Sequence, residues 1–482
     1  MHARPTINFI GVLTLVLGLS MAAPLAVSLA YDDGSARALV FSMALTIAAG
    51  LILIFVTRRR EPAQLNHRDG VLIVAAGWAA AGLVGTLPYI LSGSIPVFTN
   101  AYFESISGFT TTGASILSDI ERLPEGILLW RSQTQWFGGM GIIVLSVAIL
   151  PLLGVGGMQL YKAEVPSPVV DKLKPRISET AKTLWKVYIL ITMLEVLLLL
   201  GGGMPLFEAV CHAFCTMPTG GFSPNNASIA HYNSAYTEVV ILVFMLLAGI
   251  NFSLHYRFMT GQASVFGKDP EFKVFIGIFV VFTAVVTVDI LGPVYGSLTD
   301  ALRYSSFQVG SILTTTGFVT ADYDQWPTLS RNILLLCMFL GGMAGSTGGG
   351  IKIMRVVLLV KHIQREIFRV IHPRAVTTVK LGGRPIPNEV LSSVVGFFLL
   401  FISIFIAAVL CMSALGLDMV SAVASVAASI GNIGPGLAAV GPVRNYLEIP
   451  MAGKWILTFC MLLGRLEIYT VIVLLMPGFW KK

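Results

Sequence analysis

The sequence predicts an all-α polytopic membrane protein, with four pseudo-symmetric helix, pore-loop, helix repeats around a central pore and an N-terminal two-helix hairpin in front of them. Three observations predict it. The 482 residues are 55% hydrophobic and only 12% charged, with a mean hydropathy of +0.81, whereas a soluble protein carries about 25% charged residues. The apolar residues gather in runs long enough, at about 20 residues, to cross a hydrocarbon core of ~30 Å. The 48 glycines are an excess for a helical chain, because each costs a helix interior about 1 kcal/mol against alanine. Soluble enzymes and nucleic-acid binders are excluded by this composition, the net charge of +7 notwithstanding; no nucleic-acid partner is expected.

The hairpin occupies 1–67, with crossings at Ile7 to Ala30 and Leu39 to Val56. Its first run is too long for a cleavable signal and is followed at once by a second span, so a retained helix is expected. Repeat one, 68–165, sets crossings Val71 to Leu91 and Leu128 to Leu152 around a shorter apolar stretch, Val97 to Phe109. Repeat two, 166–265, runs Leu184 to Leu200, Leu206 to Cys215 and Val239 to Leu254. Repeat three, 266–375, runs Phe272 to Leu291, Leu298 to Leu313, then Asn332 to Ala344 with a continuation from Ile351. Repeat four, 376–482, runs Leu391 to Leu415, Met419 to Ile430 and Trp455 to Met476. Ten crossings result, and the four short stretches are half-helices that enter and turn back.

Basic residues orient these crossings, since cytoplasmic loops are enriched in Lys and Arg. With the N-terminus inside, the outer loops hold only Arg37, Arg122, Arg131, Arg303, Arg331, Arg444 and Lys454, and Arg465 stands alone inside an apolar run. The rest of the 32 basic residues fall on the inner side, so both termini are expected in the cytoplasm. Trp130, Trp326 and Trp455 then fall near outer span ends and Trp185 and Trp480 near inner ends, as an aromatic belt requires. The five scattered cysteines read as small core residues, and the seven histidines form no cluster that would suit a membrane enzyme.

Each half-helix leads into a Thr/Gly-rich turn: Ser107-Gly108-Phe109-Thr110-Thr111-Thr112-Gly113, Thr216-Met217-Pro218-Thr219-Gly220-Gly221-Phe222, Ile312-Leu313-Thr314-Thr315-Thr316-Gly317-Phe318 and Ser429-Ile430-Gly431-Asn432-Ile433-Gly434-Pro435-Gly436. Taking Gly113, Gly220, Gly317 and Gly434 as equivalents gives nearly constant spacing. Extended backbone at membrane depth is tolerated only where it is buried in protein or lines water. Carbonyls turned toward a common axis can replace an ion's hydration shell, and half-helices that aim their negative C-terminal ends at that axis favour a cation. Thr99, Asn100, Asp300 and Asp418, with Pro205, suit the opposite, positive ends. A carrier with broken helices around one midplane site would give two related halves rather than four.

These turns, together with Gly345-Ser346-Thr347-Gly348-Gly349-Gly350-Ile351-Lys352, resemble the Trk/Ktr/HKT superfamily of potassium transporters over essentially the whole chain from Arg68. The extra hairpin makes the chain look like the TrkH branch rather than the Ktr branch. The resemblance implies gated potassium uptake across the cell inner membrane, with no cofactor. It implies a filter of Thr111, Thr112, Gly113, Thr219, Gly220, Thr315, Thr316, Gly317, Asn432, Ile433 and Gly434. Repeats two and four depart from the Thr-rich pattern, so the filter is only pseudo-four-fold. A homodimer seated on a cytosolic nucleotide-binding ring resembling TrkA is implied as well; the chain itself shows no convincing nucleotide motif. A secondary carrier coupling potassium to protons or sodium stays open as the alternative.

Two features beneath the filter can be read physically. Gly341 to Gly350 interrupts the last helix of repeat three with six glycines and two hydroxyl residues, which cannot hold a helix cheaply. An irregular intramembrane loop is expected, and the resemblance makes Gly345, Ser346, Thr347, Gly348, Gly349 and Gly350 a gate. Arg465 sits mid-span, where a charge costs at least ~2.5–3.5 kcal/mol unless it meets water or a partner. Aligning Gly464 with Gly138, Gly249 and Gly341 sets Arg465 below the filter as a barrier to cations; the competing reading is a structural pair with Glu467. The inner loops Lys162 to Lys186 and Lys352 to Arg384, basic and Pro-rich, are expected to meet a protein partner or anionic membrane lipid.

Overall fold

In a computed structural model, residues 3–57, 67–149, 177–375 and 377–481 are described. The loop from Lys162 to Arg176, counted above as a partner surface, lies outside them, as do Arg58, Arg59 and Arg60. The chain begins with α1 (Ala3–Ser20), α2 (Ala22–Tyr31) and α3 (Ala36–Thr57). Gly11, Gly18 and Gly50 let α1 and α3 approach until a Cβ on Gly50 would lie 2.7 Å from the Leu15 nitrogen, the small-residue packing that lipid-embedded helices use in place of a hydrophobic drive.

Repeat one is α4 (His67–Leu91), α5 (Phe98–Phe109) and α6 (Glu125–Ile149). Repeat two is α7 (Ile177–Gly201), α8 (Leu206–Thr216), α9 (Ala235–Ala248) and α10 (Phe252–Met259), with the one-turn α11 (Val265–Lys268) after it. Repeat three is α12 (Pro270–Ile290), α13 (Leu298–Leu313), α14 (Thr328–Cys337) and α15 (Ile353–Ile371). Repeat four opens with a short β-hairpin, Lys380–Leu381 with Arg384–Pro385, followed by α16 (Asn388–Ala414), α17 (Met419–Ile430), α18 (Met451–Arg465), α19 (Ile468–Leu475) and α20 (Pro477–Trp480).

Among the described residues six helical segments are long and apolar enough to cross a membrane, seven if one bent pair is a single span. The rest of the ten expected runs fall on α6 and on helices broken along their length. The second helices of repeats two, three and four are broken: α9 and α10 meet at 102°, α14 stops at Cys337 and the chain resumes as α15, and α18 stops at Arg465 before Glu467 at φ 60°. For α9 the reason is local. Its terminal carbonyls, Ala248 and Gly249, accept from Thr347 and Met343 of repeat three rather than from the next turn, while Asn251 caps α10 through the Ser253 amide at 2.8 Å.

The short helices α5, α8, α13 and α17 are buried over most of their length. Asp418 caps α17, accepting from the amides of Val420 and Ser421 at 3.1 Å each, and Pro205 precedes α8 as expected. Asn100 does not cap α5; its Oδ1 instead accepts from the Lys454 ammonium at 2.8 Å.

Several residues read as surface markers turn out to be core. Lys454 and Arg131 are buried rather than in outer loops, and Arg355 is buried rather than in an inner one. Trp130 and Trp326 are also buried, Trp130 donating to the Gly85 carbonyl at 3.2 Å, so neither belongs to an aromatic belt. Trp455 and Trp480 are exposed.

Candidate functional site

The four half-helices end in the same backbone figure. A non-glycine residue takes a left-handed conformation, Thr111 at φ 53°, Thr219 at 57°, Thr315 at 61° and Asn432 at 54°, and a glycine two positions later does the same: Gly113 at 78°, Gly221 at 74°, Gly317 at 81° and Gly434 at 98°. The residue between them bonds back into its half-helix, Thr112 to the Ser107 carbonyl, Gly220 to Cys215, Thr316 to Ser311 and Ile433 to Ala428, at 2.8–2.9 Å. This fixes the register and corrects the sequence alignment. Gly221, not Gly220, stands where Gly113, Gly317 and Gly434 stand; Gly220 corresponds to Thr112 and Thr316.

The four strands close on one another in order. A Cβ on Gly113 would lie 2.1 Å from the Gly220 oxygen, one on Gly221 1.9 Å from Thr316, one on Gly317 1.9 Å from Ile433, and one on Gly434 2.7 Å from Thr112. Only glycine fits such an approach, and only glycine adopts these dihedrals without strain. A β-branched residue in the left-handed region costs of order 1–3 kcal/mol, and the surrounding bonds hold it there. Thr110 and Thr112 share a hydroxyl bond at 2.7 Å, and Thr314 and Thr316 one at 2.8 Å. Asn432 Nδ2 donates to Thr112 Oγ1 at 2.9 Å and to the Met461 carbonyl at 3.0 Å.

A set of buried side chains, missed in the sequence, buttresses the ring from outside. Glu104 on α5 accepts from Arg131 Nε at 2.7 Å, Ser115 Oγ at 2.9 Å and the Ile116 amide at 2.9 Å. Arg131 also donates to the Ser223 carbonyl at 2.9 Å and covers the Phe222 ring at 3.6 Å, so one ion pair secures the descending arms of repeats one and two. Gln135, one turn further along α6, donates to the Gly220 carbonyl at 2.7 Å and accepts from the Phe222 amide at 3.1 Å. Tyr446 holds the Gly434 carbonyl at 2.7 Å and Tyr323 the Gly436 carbonyl at 3.0 Å. The only signal for the ion pair in the sequence is a lone charge in each of two apolar stretches.

Immediately beneath the ring lies the irregular segment 338–352, as expected. It touches repeats two, three and four. The Thr347 hydroxyl donates to the carbonyls of Met217 at 2.9 Å and Ala248 at 3.1 Å, and the Gly349 amide donates to Thr315 Oγ1 at 2.7 Å. A Cβ on Gly349 would lie 2.3 Å from the Gly431 oxygen. Glu271 pins the segment at both ends, accepting from the Ala344 amide at 2.8 Å and the Met354 amide at 2.9 Å. Arg465 is 4% exposed; its Nη1 donates to the Thr347 carbonyl at 2.8 Å and its Nη2 to the Gly138 carbonyl at 3.0 Å. The alternative pairing with Glu467 is not formed, because Glu467 binds Arg355 at 2.7 Å. Lys352 adds a further cation, its ammonium bonded to the Gly348 carbonyl, so Arg465 is not the lone charge that the sequence suggests.

A polytopic helical membrane protein whose four re-entrant strands form a carbonyl-rich ring is, as a class, a membrane transport protein rather than an enzyme. Residues 36–482 match the TrkH family of cation transport proteins, and the chain belongs to that family. It is 44% identical to the Trk system potassium uptake protein TrkH of Salmonella typhimurium (strain LT2), and equally to that of Escherichia coli K12, each comparison covering all of both chains. It is 36% identical to the Trk system potassium uptake protein TrkG of Escherichia coli K12. Its structure resembles the crystal structure of the potassium transporter TrkH from Vibrio parahaemolyticus over all of both chains, with a TM-score of 0.91 and 39% identity.

Proposed function

We propose that the chain is the pore-forming subunit of a potassium uptake system, and that its filter is built from Thr111, Thr112, Gly113, Thr219, Gly220, Gly221, Thr315, Thr316, Gly317, Asn432, Ile433 and Gly434. The observation that carries the reading is the cyclic packing of Gly113, Gly221, Gly317 and Gly434, each against the next repeat's carbonyl. Such a ring offers a dehydrated cation four sets of backbone oxygens, backed by the negative ends of α5, α8, α13 and α17. The potassium named for the relatives is the cation that this reading assigns to it.

The segment Gly345, Ser346, Thr347, Gly348, Gly349 and Gly350 is the gate in this reading, and Arg465 is its latch. The guanidinium acts twice: it places a positive charge on the permeation path, and it ties the segment to repeat one. Opening requires both bonds to break together. The excess of basic residues on one side supports an inner-membrane protein with cytoplasmic termini, and a homodimer on a nucleotide-binding ring is the assembly that would operate the latch. Rubidium uptake into liposomes containing the purified protein, at clamped voltage with and without a pH gradient, tests the function. Saturating flux that follows the proton gradient, with no single-channel events, would replace the pore with a carrier.

A further inference from the structure

Away from the ring, α15 and α16 diverge to leave a cavity of about 480 Å³ on the outer wall of the bundle. Its two ends differ in chemistry. One is cationic: His362, Arg365 and Arg369 of α15 line it beside Asn388, the first residue of α16. The other is apolar, formed by Leu391, Val395 and Leu399. These three are spaced by four along α16 and so share one helix face.

The placement of the ends relative to the membrane decides what fits. Segment Asn388–Ala414 is one of the uninterrupted spans, so Asn388 lies where that span enters the hydrocarbon, at headgroup level. Leu399 follows eleven residues later, roughly 16 Å deeper at 1.5 Å per residue, which is about half of a ~30 Å core. The cavity therefore runs from the headgroup plane to the midplane, the reach of one acyl chain.

The cationic end is built rather than incidental. Arg365 is held, with Nη1 donating to Asn388 Oδ1 at 2.9 Å and Nη2 lying 2.8 Å from Glu366. Among the described residues, Glu366 is the carboxylate that bonds these lining side chains, and it also faces Arg369 at 3.4 Å and His362 at 3.8 Å. Two guanidinium groups against one carboxylate leave a surplus positive charge. Arg369, 42% exposed at its side chain, is the group with donors to spare.

We propose that this groove binds an anionic phospholipid of the inner leaflet, its phosphate on Arg369 and Arg365 and one acyl chain along Leu391, Val395 and Leu399. Basic pockets between membrane helices on the cytoplasmic side are the setting in which anionic headgroups are held. A free anion would use only the cationic end, and a second copy of the chain would need a broad face rather than a narrow cleft.

Native mass spectrometry of the intact protein tests this, with phosphatidylglycerol or phosphatidylcholine added at equal concentration. The expected result is several-fold greater retention of phosphatidylglycerol, reduced several-fold both by Arg369→Gln and by Val395→Trp, which fills the apolar end without touching a charge. Equal retention of the two lipids by the unmodified protein would overturn the proposal. So would displacement of phosphatidylglycerol by inorganic phosphate together with indifference to Val395→Trp, which describes a free-anion site. A shift from dimer to monomer in Arg369→Gln with unchanged lipid retention would make the groove a contact between copies, and would equally overturn it.

Discussion

Arg465 and Thr347 lie 118 residues apart in the chain and meet through a 2.8 Å bond from the guanidinium to a backbone carbonyl. The second arm of the same guanidinium reaches Gly138 at 3.0 Å, so the link spans repeats one, three and four. Hydrogen bonds to a charged group are worth about 1.5–3 kcal/mol, and water entering the opened space recovers part of that. Arg465→Ala should therefore raise basal rubidium flux in liposomes by roughly tenfold, about 1.4 kcal/mol in the opening equilibrium. Arg465→Lys keeps the charge but replaces the two-armed guanidinium with a single ammonium on a shorter side chain, and should fall between. Loss of flux in a folded Arg465→Ala protein would make the link structural.

The register of repeat two gives a prediction that separates two adjacent glycines. Gly221 has φ 74° and would drive a Cβ to 1.9 Å from the Thr316 carbonyl, so it has neither the dihedral nor the space for a side chain. Gly220 lacks the positive φ, and its nearest neighbour at 2.4 Å is the end of the Gln135 side chain rather than backbone. Gly221→Ala should lower the potassium over sodium permeability ratio as severely as Gly113→Ala, with Gly220→Ala milder. Bi-ionic potentials measure this, and the reverse ranking would return the filter position to Gly220.

What was legible in the sequence follows from how local each signal is. A Thr-Gly turn after a half-helix of sub-spanning length is a local pattern, and its recurrence in four places shows in the spacing. Arg465 is legible because a charge in an apolar run needs no partner to be noticed. Its partners are backbone carbonyls of Thr347 and Gly138, which no residue type announces. Thr219-Gly220-Gly221 offers two glycines for one role, and only the bond from Gly220 to the Cys215 carbonyl distinguishes them. Arg131 looked like an outer loop charge because Glu104 is 27 residues away on another helix. The break between α9 and α10 is hidden for the same reason, since contacts made with a distant segment through the backbone leave hydropathy unchanged.

The Glu104 and Arg131 pair should carry a large share of filter stability. Both side chains are almost wholly buried, and removing one partner of a buried pair leaves an uncompensated charge at a cost of about 3–5 kcal/mol. Arg131→Met should lower the melting temperature in detergent and reduce potassium selectivity together, because the Ser223 carbonyl loses its donor and Glu104 its counter-charge. The double variant Glu104→Gln/Arg131→Met should recover part of the melting temperature, since no charge is stranded, but not the selectivity. Recovery of both would mean that packing alone shapes the filter.

The hairpin offers a test in pH, at a carboxylate outside the spans. Asp33 Oδ2 accepts from the Gly126 amide at the start of α6 at 2.7 Å, and Oδ1 accepts from the Ser35 amide at 2.8 Å and from the Ser28 hydroxyl. Burial works against the charged form, but these bonds outweigh it and hold the carboxyl below its ordinary value of 3.8. A group whose pKa is lowered on folding stabilises the fold above the unfolded value and ceases to do so as pH falls through the folded one. The Asp33 contribution should thus be complete at neutral pH, intact at pH 5, and lost only below 3.8. For a partly exposed group the net worth is about 1 kcal/mol, so Asp33→Asn should speed hydrogen exchange at the Gly126 amide roughly fivefold between pH 5 and 7. The two proteins should converge in more acidic solution. A difference that vanished already near pH 5 would show a carboxyl raised rather than lowered by folding, and would remove Asp33 as the clasp between the hairpin and the first repeat.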